Sequence, residues 1–212
     1  MITEAMLDTL REKISTEMSG KRLRHTLEVE KMVARLGELY APEKIPMLRA
    51  AALLHDVTKE YSTDRQLMIC AQKALTVTRE DLYAPMTFHA RTAAALIPEL
   101  YPEFADEELI SCVRYHTTGR RGMTLCEQLV YLADYIDLSR TFEDCVRLRN
   151  FFFDAKPEDM NEKDRLSHLR NTLILSFDMT IRALLDDGAP ISSDTFRARG
   201  ELVCLRLDEK VL

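Results

Sequence analysis

The chain has no apolar run long enough to span a bilayer, which argues against a transmembrane helix. Its opening segment, Met1–Ser19, mixes charged and apolar side chains and does not read as a secretory signal. Cysteines are few and scattered: Cys70, Cys112, Cys126, Cys145 and Cys204 are odd in number and contain no C-x-x-C pair. That spacing argues against a disulfide framework or a zinc knuckle and suits buried thiols in a reducing compartment, so a cytoplasmic protein is expected. An excess of positive charge is missing as well. The net charge of −6 speaks against a broad nucleic-acid surface, while leaving room for a local basic pocket. No stretch alternates with period two, and there is no internal repeat or low-complexity segment.

What is present reads as helix nearly throughout. With 212 residues, 46% hydrophobic and 30% charged, the chain can bury a sizeable core. Ile2, Met6, Leu10, Ile14 and Met18 mark one face of a first helix that stops at Ser19-Gly20. Further helices are expected from about Lys21 to Tyr40, Pro46 to Val57, Asp64 to Ala74, Arg79 to Tyr83 and His89 to Leu100. Another starts after the acidic cap Asp106 and breaks at His116-Thr117-Thr118-Gly119, and Leu125–Ile136 follows. The longest, Asn161–Leu185, carries Leu166, Leu169, Leu173, Phe177, Ile181 and Leu184 on one side. The best boundary is a loop near Ala155–Asp159, but a helix and tail over about 160–212 are expected to pack on a core of about 20–140. We therefore expect one all-α domain over 1–212. The run Phe151-Phe152-Phe153 suits core packing, with a homodimer contact as the alternative.

Four of the five histidines and two aspartates stand out against this pattern. His25 continues the stripe of Val29, Met32 and Leu36; His55 that of Leu48, Ala51 and Ala52. His89 leads Ala93, Leu96 and Ile97, His116 trails Leu109, Cys112 and Val113, and Asp134 trails Val130. Each should point inward, where an unpaired polar group is costly, and a transition metal in a helical bundle core would pair them all. The alternatives are plain. A lone inward histidine is commonly a hydrogen-bonded core residue, His55-Asp56 alone is a weak motif, and Asp134 could pair with an arginine. Asp137, one turn on, reads as a surface charge, and His168 as a solvated residue on the polar side of the long helix.

The order His25, His55-Asp56, Asp134 resembles the signature of the HD-domain metal-dependent phosphohydrolases, and His89 and His116 match its extended form. The likeness is to the branch of bacterial symmetrical diadenosine tetraphosphatases, the YqeK type. Its carriers are Arg24-His25-Thr26, Leu53–Lys59, Tyr115–Arg120, Leu132–Asp137 with Arg140, and a tail from Gly188-Ala189-Pro190-Ile191 through Thr195 to Ala198-Arg199. Departures are Asp137-Leu138-Ser139, where the family has a Glu-Pro-Gly-like turn, and Gly200 near a common Asn.

The resemblance implies an HD-type helical bundle with His25, His55, Asp56 and Asp134 as metal ligands. It points to iron as the divalent ion, one or two, with Asp56 as the bridge if there are two; the ligand types themselves suit iron or manganese better than zinc. It assigns catalysis to Lys59, His89 and His116, and substrate contacts to His25, Lys59, His89, His116, Thr117 and Arg140. Whether His89 and His116 bind a second ion or donate to phosphate stays open, with the latter preferred. Arg120 and Arg121 read as rim charges that steer an anion, and the loop Gly188–Thr195 as part of a nucleoside enclosure. The implied reaction is symmetrical cleavage of diadenosine tetraphosphate to two ADP by a metal-activated hydroxide. Alternatives are an HD nucleotidase or phosphodiesterase acting on another nucleotide, separable by a substrate panel, and a nucleotide-binding regulatory module, which would show no metal-dependent turnover.

Overall fold

Most helices begin where a short polar side chain can accept from the first free backbone N–H groups. In the computed structural model, which describes residues 2–209, Thr3 caps α1 (Glu4–Glu17), Ser19 caps α2 (Gly20–Tyr40) and Ser62 caps α4 (Thr63–Gln72). Thr78 and Asp81 form a capping box on α5 (Arg79–Leu82), Asp106 caps α7 (Glu107–Tyr115), and Thr124 forms a capping box with Glu127 on α8 (Leu125–Ile136). Asn161 and Ser192 cap α10 (Glu162–Asp186) and α11 (Ser193–Asp208). Two helices without a side-chain cap, α3 (Ile45–Leu54) and α6 (Phe88–Leu100), are entered through 3-10 turns opened by Pro42 and Pro85. The remaining helix, α9 (Glu143–Asp154), starts on Glu143 and Asp144, whose charge suits a helix N-terminus.

Among the described residues there is no strand, as expected of an all-α chain. The centre is built from α2, α3, α7 and α8, with α1 laid over α3, α6 over α7, and α9 and α10 beside α8. Leu36, Leu48, Leu54, Val113, Leu129, Leu132, Leu173 and Phe177 are fully buried there, and the same apolar cluster runs from Leu7 to Leu202. Each such side chain contributes about 1.5–3 kcal/mol relative to exposure. No helix among the described residues is long and apolar enough to cross a membrane. The ends of the expected 1–212 unit, Met1 and Lys210–Leu212, lie outside the described residues.

Three differences from the expected elements matter. The third helix stops at Leu54, and 55–60 form a tight turn in which Val57 N and Lys59 N donate to the carbonyls of Leu54 and Asp56 at 3.4 and 2.9 Å. Neighbours on a helix point about 100° apart; leaving the helix lets His55 and Asp56 face the same point. Second, α9 turns the phenylalanine run into a seam: Phe152 is buried while Phe151 is exposed. Third, His168 is half-buried rather than freely solvated. Its ring stacks on Phe151 and Phe152, and its Nε2 lies 3.0 Å from the Phe152 carbonyl, because α9 covers the face of α10 that looked polar. Four cysteines are buried free thiols and Cys204 is exposed.

Gly119 ends the His116–Gly119 break with φ of +63°, and a Cβ there would stand 2.7 Å from Phe177 Cζ. We predict that Gly119→Ala destabilises the fold by about 2 kcal/mol, from left-handed strain plus overpacking. Chemical denaturation checks this, and a loss under about 0.5 kcal/mol would contradict the packing described.

Candidate metal centre

Three helices and two turns deliver the inward polar residues to one place. His25 comes from the second turn of α2, His55 and Asp56 from the turn after α3, His89 from the start of α6, His116 from the end of α7 and Asp134 from the last turn of α8. His25, His55, Asp56, His89 and His116 are all buried, and Asp134 is the most accessible of the set. All six residues picked from the sequence therefore meet, across 109 positions of chain between His25 and Asp134.

The ring orientations are set by second partners. His55 Nδ1 donates to the Ala52 carbonyl at 2.6 Å and His116 Nδ1 to that of Val113 at 2.7 Å, so in both rings the Nε2 lone pair faces the centre. His25 Nδ1 lies 3.3 Å from Asp137 Oδ2 and 3.2 Å from Ser139 Oγ, which turns its Nε2 the same way. His55 Nε2 is 3.3 Å from Asp56 Oδ2 and 3.7 Å from Asp134 Oδ1, and His25 Nε2 is 2.9 Å from Asp134 Oδ1. The other Asp56 oxygen, Oδ1, faces His89 Nε2 at 3.2 Å and His116 Nε2 at 3.8 Å. Two sets thus have donor atoms within 4.8 Å of one another: His25, His55 and Asp134, and His55, Asp56 and His116.

The donor atoms fit a cation. His25 Nε2, His55 Nε2 and Asp56 Oδ1 are buried without a hydrogen-bond partner, a cost of about 1–3 kcal/mol each that a shared divalent ion would remove. Charge tells the same story. Burial disfavours the Asp56 carboxylate, yet His55, His89 and Lys59 hold its carboxyl well below the ordinary value. Burial is overridden likewise at Asp134, by Arg140 and His25. Burial pushes His116 down to about 4 and His89 well below the usual imidazole range, keeping both neutral near pH 7. His25 goes the other way: burial lowers it, but the Asp134 and Asp137 carboxylates beside its ring raise it to about 9.

Around this cluster stand the other residues expected at the site. Lys59 Nζ lies 3.3 Å from the His89 ring, and burial lowers its pKa. Thr117 Oγ1 is 3.2 Å from His89 Nε2. Arg140 donates from Nη2 to Asp134 Oδ1 at 2.6 Å and from Nε to the Asp134 carbonyl. Two readings are corrected. Asp137 is no surface charge but fully buried, because α8 ends at Ile136 and the chain folds Asp137 back onto His25. Arg120 is no free rim charge but pairs at 2.9 Å with buried Glu127, and Arg121 stands exposed beside Glu201. One residue was missed: Arg22, whose Nη1 donates to Asp56 Oδ2. Its place three residues before His25, on the same face of α2, was the available signal.

With the geometry in place, comparison with known proteins adds the following. The HD domain family matches residues 22–139. The symmetrical bis(5'-nucleosyl)-tetraphosphatase of Bacillus subtilis is 28% identical over 190 residues, 90% of this chain and 94% of that protein. The one from Halalkalibacterium halodurans is 27% identical over 90% of this chain and 93% of that protein, and the one from Staphylococcus aureus 33% identical over 59% and 63%. Among solved structures, a predicted HD superfamily hydrolase involved in NAD metabolism from Clostridium acetobutylicum superposes with a TM-score of 0.80. It is 28% identical and the match covers 93% of this chain and 96% of that one.

If the cluster holds an ion, His55→Ala or Asp56→Ala should cut the divalent metal content of purified protein to less than half, on the order of the loss expected for a removed ligand. His168→Ala, outside the cluster, should leave it unchanged. Elemental analysis alongside circular dichroism measures both, and equal metal content in all of these variants would contradict the assignment.

Proposed function

The chain belongs to the HD-domain family, and from that membership we propose that it splits diadenosine tetraphosphate symmetrically into two ADP with a divalent metal ion. The convergence of His25, His55, Asp56 and Asp134 donor atoms on one centre, two of them orphaned nitrogens, carries the hydrolase reading. The substrate class is supported by the three relatives named symmetrical tetraphosphatases. His25, His55, Asp56 and Asp134 would hold the ion, and Asp56 Oδ1 with His116 and His89 offers room for a second. Imidazole and carboxylate donors suit iron, the assignment we favour, or manganese. When bound, such an ion lowers the pKa of water and neutralises phosphate oxygens.

The chain's own residues do the rest. Arg22, Lys59 and Arg140 place three cations beside the two carboxylates, where they can turn to the four phosphates of an arriving substrate. His116 Nδ1 donates to the Val113 carbonyl and its Nε2 lies 3.0 Å from His89 Nε2, while Lys59 Nζ stands 3.3 Å from both nitrogens of the His89 ring. Lys59 and Thr117, both set against the His89 ring, are the donors that can give a proton to the departing phosphate oxygen, with His89 orienting them. For the nucleoside end, a cavity of about 610 Å³ lies between the start of α6, the end of α7 and the start of α11, lined among others by Thr87, Arg114, Pro190, Ile191 and Asp194. Thr195, next in the chain to the lining residue Asp194, donates at 3.0 Å to the Thr118 carbonyl. Buried free thiols at Cys70, Cys112, Cys126 and Cys145 support a reducing compartment, the cytoplasm.

A second substrate is favoured by one observation, the association of the Clostridium structure with NAD metabolism. A chromatographic assay with Fe²⁺ or Mn²⁺ and a panel that includes NAD and mononucleotides decides between them. The proposal expects ADP as the sole product of diadenosine tetraphosphate, turnover abolished by chelation, and Lys59→Ala slower in kcat by about 100-fold. ATP plus AMP as products, or turnover indifferent to chelator, would refute it.

A further inference from the structure

The C-terminal end of α8 carries Asp134 and, just beyond it, Asp137 and Arg140; Arg140 Nε takes the Asp134 carbonyl, but the Ile136 carbonyl is not met by the turn itself. A helix leaves its final C=O groups unsatisfied, and here the partner is brought by another helix. Arg149, in α9, donates from Nε to the Ile136 carbonyl at 2.8 Å, and from Nη2 to those of Asp137 at 2.8 Å and Arg140 at 2.6 Å. The planar fork of a guanidinium can bridge such a set of acceptors, and its charge suits a helix C-terminus. It is set there because α9 buries Cys145, Leu148 and Phe152 against the core, with Arg149 beside that seam.

The backbone so held bears two side chains that orient the cluster. Asp137 uses Oδ1 for the Ser139 N–H at 2.8 Å and for the Ser139 hydroxyl, and turns Oδ2 to His25 Nδ1 at 3.3 Å. Arg140 grips the Asp134 carboxylate at 2.6 Å. We infer that Arg149 is a positioning residue for the metal centre: by holding the Ile136–Arg140 backbone it fixes the aim of His25 and Asp134. It lies outside the 22–139 span matched by the family, so the centre depends on a helix beyond that span. The inference rests on the reading of His25 and Asp134 as metal ligands.

The test is Mn²⁺ binding to the full chain, stripped of metal, by calorimetry and by the Mn²⁺ paramagnetic resonance spectrum, with thermal unfolding of the metal-free protein in parallel. For Arg149→Ala the expected result is an Mn²⁺ Kd raised about tenfold or more, as for other residues that orient ligands, with an altered spectrum. Arg149→Lys, which keeps the charge but not the fork, is expected to raise Kd about threefold or more, and it carries the test if the alanine variant does not fold. A fall in unfolding temperature with Mn²⁺ affinity and spectrum unchanged in the folded variants would make Arg149 merely structural and overturn the inference, leaving the ligand reading intact. Failure of the wild-type chain to bind Mn²⁺ and Fe²⁺ at all would remove both.

Discussion

Two carboxylates, Asp56 and Asp134, close the hydrophobic core at the meeting point of α2, α3, α7 and α8, and keeping them ionised there governs much of the surrounding structure. Removing an unpaired carboxylate from water costs several kcal/mol even after relaxation. The packing meets this cost locally. Arg22 and Lys59 stand at Asp56, Arg140 and His25 at Asp134, and neutral imidazoles fill the space between. The compensation is incomplete: Nε2 of His25, Nε2 of His55 and one oxygen of Asp56 still have no hydrogen-bond partner. A polar cluster satisfied on its outer side and unsatisfied on its inner side is arranged for a cation, since hydrogen bonds from the same protein would have been the cheaper way to fill a purely structural core.

The outer satisfaction is what gives the inner side its aim. Backbone carbonyls of Ala52 and Val113 each take the Nδ1 proton of a histidine three residues later, which is possible because both histidines sit just past the end of a helix, where carbonyls are free. Helix termination and the orientation of the ring are therefore one event at His55 and His116. At His25, in the middle of a helix, no carbonyl is free, and the role passes to Asp137. That is why the short turn after α8 is so heavily tied down.

How much of this could be read from the sequence differs by residue. The apolar stripes placed His25, His55, His89 and His116 inward because each lies on or next to a regular helix whose phase the neighbours report, and all four are buried. The same logic misjudged Asp137: one turn after Asp134, it looks like the next position of a helix, but the helix has ended and the chain has folded back. His168 was misread because its cover comes from α9 (Glu143–Asp154), a helix not among those expected from the sequence, which buries Cys145, Leu148 and Phe152. Arg149 left no trace at all. Its partners are main-chain carbonyls of another element, and main-chain acceptors have no residue identity to read.

The account stands on a divalent ion at the centre of these side chains, and anomalous diffraction locates it most directly. Crystals of the protein purified without chelator, measured on both sides of the iron and manganese absorption edges, should show a metal peak enclosed by His25 Nε2, His55 Nε2 and the Asp56 and Asp134 carboxylates. A density map with no anomalous peak among those four residues, in protein soaked with Fe²⁺ and Mn²⁺, would contradict it.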